Sequence, residues 1–220
     1  MADTPIARGS STRTANMNKR RHQILSCAGK LIAADGIEAF TLKRLAQDAE
    51  VTVPTIHNLI GKKSDIFEKL VEDMVRRVEE ALNFQTTGDP ITAAETSIDK
   101  LMELFSGNET FYKAAFVAGE RIDLFEHTEP GGIFASSLNL AIQVCQLGRE
   151  QGYLQGEIDT SQLAHEVFGC QRLARHDWVQ GYIDLKTYRR QALAGMFIIF
   201  AADATADYRV KLLERINSLQ

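Results

Sequence analysis

The chain is predicted to be all-α, with a small N-terminal head of three helices joined to a larger helical body. Three observations lead there. Apolar residues recur at spacings of three and four over most of the 220 residues, no segment alternates for long like a half-buried strand, and two short polar-capped segments follow each other between residues 41 and 61. Neither an internal repeat of 20 to 50 residues nor a long low-complexity region is present.

Residues 1–17, rich in Ser, Thr, Ala and Gly without an apolar period, read as a flexible basic arm carrying Arg8 and Arg13. A first helix is expected over about 18–35, where Ile24, Leu25, Ala28, Leu31 and Ile32 share one face, and Gly36 should end it. Thr41 is the expected N-cap of a second helix with the stripe Leu42, Leu45, Ala46 and Ala49. Thr52 should cap a third, with Pro54 in its first turn and Gly61 closing it. Ser64 is read as the cap of a fourth, longer helix with Ile66, Leu70, Met74 and Val78 in register. After "TTGDP" the helical pattern continues over about 91–106, 108–127, 132–151, 160–180 and 186–217, with a further break possible at 205–207. The expected division is an arm at 1–17, a head at 18–64 and a body at 65–220.

Charge separates the same regions. The net charge is −4, yet residues 1–65 carry ten Lys or Arg against six Asp or Glu, and the remainder is acidic. Cys27, Cys145 and Cys170 form no Cys-x-x-Cys pair, so neither a disulfide framework nor a zinc ribbon is indicated and a reducing cytoplasm fits best. The N-terminal stretch lacks the apolar core of a signal peptide, and "ALAGMFIIFAA" is too short to cross a bilayer, so no membrane partner is expected. His127, His165 and His176 lack a second strong ligand at helical spacing, and the motifs of nucleotide-binding loops and hydrolase elbows are absent. Neither metal, cofactor nor enzymatic activity is expected.

The stretch "AEVTVPTIHNLIGKKSD" starts a helix with little to bury. Val51 and Ile56 are expected to pack inward, leaving Val53, Pro54, Thr55, His57 and Asn58 pointing away. A short helix with small and polar residues in its first turns suits a DNA major groove about 12 Å wide, where those residues meet base edges. The surroundings carry phosphate-binding groups: Lys43 and Arg44 on the second helix, Lys62 and Lys63 after the third, Lys19, Arg20 and Arg21 near the arm, and the hydroxyls of Thr41, Thr52 and Thr55. A helical bundle without DNA is the alternative reading, with the lysines as solvated charges.

Residues 21–70 resemble the N-terminal domain of the TetR family of transcriptional regulators. The likeness rests on Ile24-Leu25, Ala28, Leu31, Gly36, Thr41, Leu45-Ala46, Ala49, Val51, Thr55, Lys63 and Asp65. It implies DNA contacts by Thr41, Pro54, Thr55, His57, Asn58 and Lys63. Glu50 stands where the family usually has a turn glycine, so a positive φ there would cost about 1 kcal/mol. His57 replaces a common phosphate-binding tyrosine, Leu59 a common His or Tyr, and Ile60 a common Phe.

The resemblance further implies a body that holds a small-molecule effector among helices 5 to 8 and moves helix 4, so that the spacing of two heads changes. Candidate ligand residues are Met102, Phe105, Phe111, Tyr112, Phe116, Phe168, Arg172, His176 and Trp178, each of which would otherwise be core or, for Arg172, a surface ion-pair member. Family dimers use the last two long helices, where Ala194, Gly195, Ile198, Ala201 and Ala202 offer a small apolar face. The expected function is a dimeric, ligand-responsive regulator, a repressor by analogy, on a palindromic double-stranded operator. A helical small-molecule-binding protein without operator binding, or an all-α enzyme, are the alternatives.

Overall fold

The computed structural model describes residues 8–84, 89–121 and 133–219, among which ten α-helices and one isolated bridge, Leu154 to Ala204, make up the regular structure. The helices are α1 (Arg8–Asp35), α2 (Leu42–Asp48), α3 (Val53–Leu59), α4 (Lys63–Leu82), α5 (Pro90–Gly107), α6 (Glu109–Arg121), α7 (Ile133–Glu150), α8 (Thr160–Val179), α9 (Leu185–Asp203) and α10 (Ala206–Ser218). They form two compact units. The first comprises the described residues up to Asp73 and those of α6 from Thr110; the second comprises Met74 to Glu109 and what is described from α7 onward. The expected division at 64/65 therefore differs from this grouping, which cuts α4 inside its length and counts most of α6 with the head. Sequence periodicity marks where a helix ends, not which neighbour takes its buried face.

In the first unit, α1 buries Ile24, Ala28, Leu31 and Ile32 and ends as expected, with Gly36 at φ 78° donating its N–H to the Ile32 carbonyl at 2.9 Å. It begins at Arg8, so residues 8–17, expected in a flexible arm, are helical. This stretch contains no proline to interrupt a helix that continues into the buried face of α1. It was missed because side chains 13–23 all lie exposed and leave no apolar period to read. Residues 1–7 of the expected arm lie outside the described residues.

The short helices are held by their ends. Thr41 Oγ1 accepts from the Arg44 N–H at 3.3 Å and Thr52 Oγ1 from the Thr55 N–H at 3.3 Å. Between them the Val51 N–H reaches the Ala46 carbonyl at 2.9 Å and the Glu50 N–H the Gln47 carbonyl at 3.2 Å, a Schellman-type ending. Its left-handed position is Glu50, at φ 52°. The turn keeps its geometry without glycine, against a penalty of about 1 kcal/mol.

Helix α4 departs from expectation at its start. Ser64 lies within the helix and its hydroxyl donates to Asp65 Oδ1 at 3.1 Å, while Asp65 Oδ2 accepts the Lys62 N–H at 2.8 Å. The carboxylate is the stronger acceptor and takes the capping role. Gly61, at φ 130°, is needed beneath it, because a Cβ there would lie 1.9 Å from Asp65 Oδ2.

The second unit is organised around α9, on which α5, α8 and α10 pack, with α7 against α5 and α8. Asp89, Asp159 and Asp184 cap α5, α8 and α9 through their side chains. The segment expected over 186–217 divides at Ala204 and Thr205 into α9 and α10. Asp203, 1% exposed, accepts the N–H groups of Gly156 (3.0 Å), Glu157 (2.8 Å) and Ile158 (3.1 Å), fastening the "GYLQGEID" loop to that break. Arg189 grips Asp99 through two bonds of 2.6 and 3.1 Å, tying α9 to α5. The expected helix end near residue 127 lies outside the described residues. No helix among the described residues is long and apolar enough to cross a membrane.

Candidate functional site

Helix α3 is seven residues long and buries one of them, Ile56. Pro54, His57 and Asn58 are exposed, and Val53 and Thr55 are half-buried. Thr41 and Thr52 are exposed at the starts of α2 and α3, although both hydroxyls already accept a cap N–H, and Thr52 Oγ1 lies 2.9 Å from Thr55 Oγ1. A hydroxyl that accepts from its helix still has its own proton to donate.

The cations divide differently. Lys62 is exposed, as expected of a phosphate-seeking group. Arg44 pairs with Asp35 at 2.8 Å but keeps about half its side chain in solvent. Lys63 turns inward: its ammonium donates to the carbonyls of Phe40 at 2.9 Å and Ile37 at 3.4 Å and sits over the rings of Phe40 and Phe67 at 5.5 and 5.6 Å. It satisfies carbonyls in the connection from α1 to α2, a task that spacing alone could not reveal. Arg21 similarly donates Nε to the Leu59 carbonyl at 2.6 Å, closing the C-terminus of α3 from α1. Gln23, which the sequence did not single out, donates to the Ala49 carbonyl at 3.2 Å.

A small cleft of about 60 Å³, part of it open to solvent, lies within the second unit. Its walls include Ala93, Ala94, Ser97, Ile98 and Leu101 of α5, Leu140, Ala141 and Val144 of α7, and Val167, Phe168 and Gln171 of α8. Leu82 at the end of α4 also lines it. No lining residue is charged.

Of the expected ligand residues, Phe168 lines this cleft and the others do not. Phe105 and Trp178 stack at 4.9 Å and 13° in the core, with Tyr188 against both, and the Trp178 indole donates to Glu109 at 3.1 Å. Met102 and Arg172 are half-buried away from the cleft, and His176 is exposed. Phe111, half-buried, and Tyr112 and Phe116, buried, belong to the first unit. Phe105 and Trp178 fill the core, whereas the cleft is lined by the small Ala93, Ala94, Ser97 and Ala141 together with aliphatic side chains and the rings of Phe168 and Phe200. The readable signal was that run of small residues on helix faces.

On α9, Ile198 is 59% exposed and Ala202 exposed, Ala194 and Gly195 are half-buried, and Ala201 is buried. Gly195 serves close approach inside the unit, since a Cβ there would lie 3.0 Å from the Cys170 Cβ and Sγ. Leu173 of α8, not expected from the sequence, is 64% exposed. Burial pushes the thiols of Cys145 and Cys170 up to about 12 and about 11, so neither is a thiolate at neutral pH. No group of three His, Cys, Asp or Glu among the described residues is placed to hold a metal, and His127 lies outside them.

No family model matches the chain. It is 31% identical over 72 residues to the HTH-type transcriptional regulator HbdR of Aromatoleum sp. (strain CIB), a match covering 33% of this chain and 31% of that one, so it spans about a third of that relative's length. Among solved structures, a TetR-family transcriptional regulator from Marinobacter aquaeolei VT8 superposes with TM-score 0.67 at 14% identity, covering 91% of this chain and 98% of the other. A gamma-butyrolactone receptor (ArpA-like protein) does so with TM-score 0.63 at 15% identity, over 94% and 100%. CprB from Streptomyces coelicolor, a TetR family protein solved with its biological operator sequence, gives TM-score 0.60 at 18% identity, over 92% and 97%. Helix order, the capped α2-turn-α3 pair and these superpositions agree: the chain has the fold of the TetR-family transcriptional regulators.

Proposed function

We propose that the chain is a DNA-binding transcriptional regulator whose affinity for its operator is changed by a small molecule held in the cleft of the second unit. The observation that carries this reading is α3, a helix held rigidly at both ends that leaves Pro54, His57 and Asn58 exposed on its outer side. Such a surface costs a protein nothing to leave in water and matches what a major groove reads. Lys62, Arg44 and the hydroxyls of Thr41, Thr52 and Thr55 supply phosphate contacts around it, with Val53 against a thymine methyl or sugar.

Two copies related by a twofold axis would bind a palindrome with half-sites about one DNA turn apart, roughly 34 to 36 Å. Leu173, Ile198 and Ala202, with Ala194 and Gly195 beside them, are the apolar surface on which they would meet. Because Leu82 lines the cleft and is the last residue of α4, a ligand there bears on a helix that also carries head residues. Differential affinity for two positions of α4 would then shift operator binding, with release, and hence repression, as the expected sense.

A small-molecule-binding protein without operator binding is the second reading, favoured by the engagement of Arg21, Arg44 and Lys63 with acceptors of the protein itself. The two separate on selection of binding sites from a random duplex pool, repeated with His57→Ala and Asn58→Ala. Enrichment of a palindrome that both substitutions weaken supports the regulator. No enrichment even at low salt, where phosphate contacts are strongest, leaves the cleft as the functional part.

A further inference from the structure

Three polar side chains line the cleft, Ser97, Ser137 and Gln171, and Gln171 is the one of them that is both buried and joined to a second buried polar side chain. Gln171 lines it while only 8% exposed, and its amide lies 2.8 Å from the Tyr188 hydroxyl. That hydroxyl is fully buried, and Gln171 is its one hydrogen-bond partner among the described residues. Burial pushes Tyr188 up to about 12, so at neutral pH it keeps its proton, and a buried O–H needs an acceptor. The amide oxygen is the acceptor at hand. Oxygen and nitrogen exchange places by a half-turn of the amide plane that leaves the heavy atoms where they are. With the oxygen on Tyr188, the amide nitrogen faces the cleft with two N–H donors.

The other walls narrow the occupant. They are mostly aliphatic and none is charged; the Ser97 hydroxyl is spent on the Ala93 carbonyl at 2.7 Å, and the half-buried Ser137 hydroxyl is the other polar group on the wall. A carboxylate or ammonium entering would lose its hydration without a counter-charge. We infer that the cleft receives an uncharged, mainly aliphatic molecule bearing a carbonyl-type acceptor, a ketone, ester or lactone, and that the Gln171 amide nitrogen is the donor that reads it. This rests on the cleft being the ligand site of the proposed regulator. Tyr188 acts through Gln171 as a positioning residue, holding the amide in the donating orientation.

The test uses the full chain with 2-decanone and decanoate as probes at about pH 8, where decanoate is ionised. Trp178, the single tryptophan, has its ring 6.0 Å from that of Tyr188 and reports binding by fluorescence. Saturable binding of the ketone, at least about tenfold tighter than decanoate, is expected. The double substitution Gln171→Leu with Tyr188→Phe, which removes both polar partners and orphans neither, should weaken the ketone by about tenfold. Equal binding of decanoate, unchanged ketone binding in the double variant, or no binding of either probe overturns the inference. Should the double variant not fold, infrared spectroscopy of the ketone bound to the unaltered protein decides. A carbonyl stretch lowered by hydrogen bonding upholds the inference, and one placed as in hydrocarbon overturns it. Operator binding measured without any probe stands apart: ketone binding without DNA binding removes the regulator and keeps the cleft, and the converse result does the opposite.

Discussion

The two units solve the problem of holding helices together in different ways. In the first, α2 and α3 have seven residues each and too little apolar surface to fix their own positions, so their ends are tied instead. Arg21, Gln23 and Lys63 donate to backbone carbonyls, and Thr41, Thr52 and Asp65 accept backbone N–H groups. In the second, helices of up to twenty residues bury Phe105, Trp178, Tyr188, Phe197 and Phe200. That core leaves room for an internal cleft. Polar ties at helix ends keep an outer face rigid and unspent, which suits recognition of another molecule; a large apolar core tolerates a gap, which suits capture of a small one.

The largest expected effect tests whether the second unit depends on apolar packing alone. Asp203→Ala strands three N–H groups of the 156–158 loop and should cost about 3 kcal/mol or more, read as a lowered urea midpoint at unchanged slope. A smaller loss would mean that the loop finds water instead and that the staple is dispensable.

Lys63→Ala tests the same idea in the first unit. It removes the donor to Phe40 and Ile37 and should lower stability by about 2 kcal/mol. Hydrogen exchange of α2 would report it without any DNA present. Unchanged exchange together with weakened DNA binding would return Lys63 to the phosphate backbone and blunt the contrast between the units.

Glu50→Gly should act in the opposite direction, raising stability by about 1 kcal/mol by relieving the φ 52° conformation, with an unchanged fold in the α2 to α3 turn. Thermal melts would show it as a small rise in Tm. A fall would indicate that the Glu50 side chain contributes more than its backbone costs.

The smallest effect concerns acid. The Lys62 N–H, then the Ser64 hydroxyl, hold Asp65 below its ordinary value of 3.8. A carboxylate depressed in the folded state contributes stability above its unfolded value and loses it as the pH falls through the folded one. Asp65→Asn should therefore be less stable than the parent near neutrality, and the difference should fade below about pH 3.8. Stability curves taken from about pH 6 down to about pH 2 would check this, and a constant offset would assign the loss to geometry rather than charge.

By itself the sequence determined the all-α class, most helix boundaries and the outward face of α3. Periodicity, Thr caps and glycine stops act over a few residues, and those residues are adjacent in the chain. Tertiary structure alone decided that Lys63 and Arg21 turn to carbonyls 23 and 38 residues away, and that most of α6 groups with the head. It also decided that the cleft is walled by residues of α5, α7, α8 and α9, Phe168 and Phe200 among them, rather than by Phe105 and Trp178. A cavity is the mismatch between faces brought together from distant helices, and a flexible cation goes to whichever acceptors the fold sets within reach. Neither partner is written near the residue that meets it.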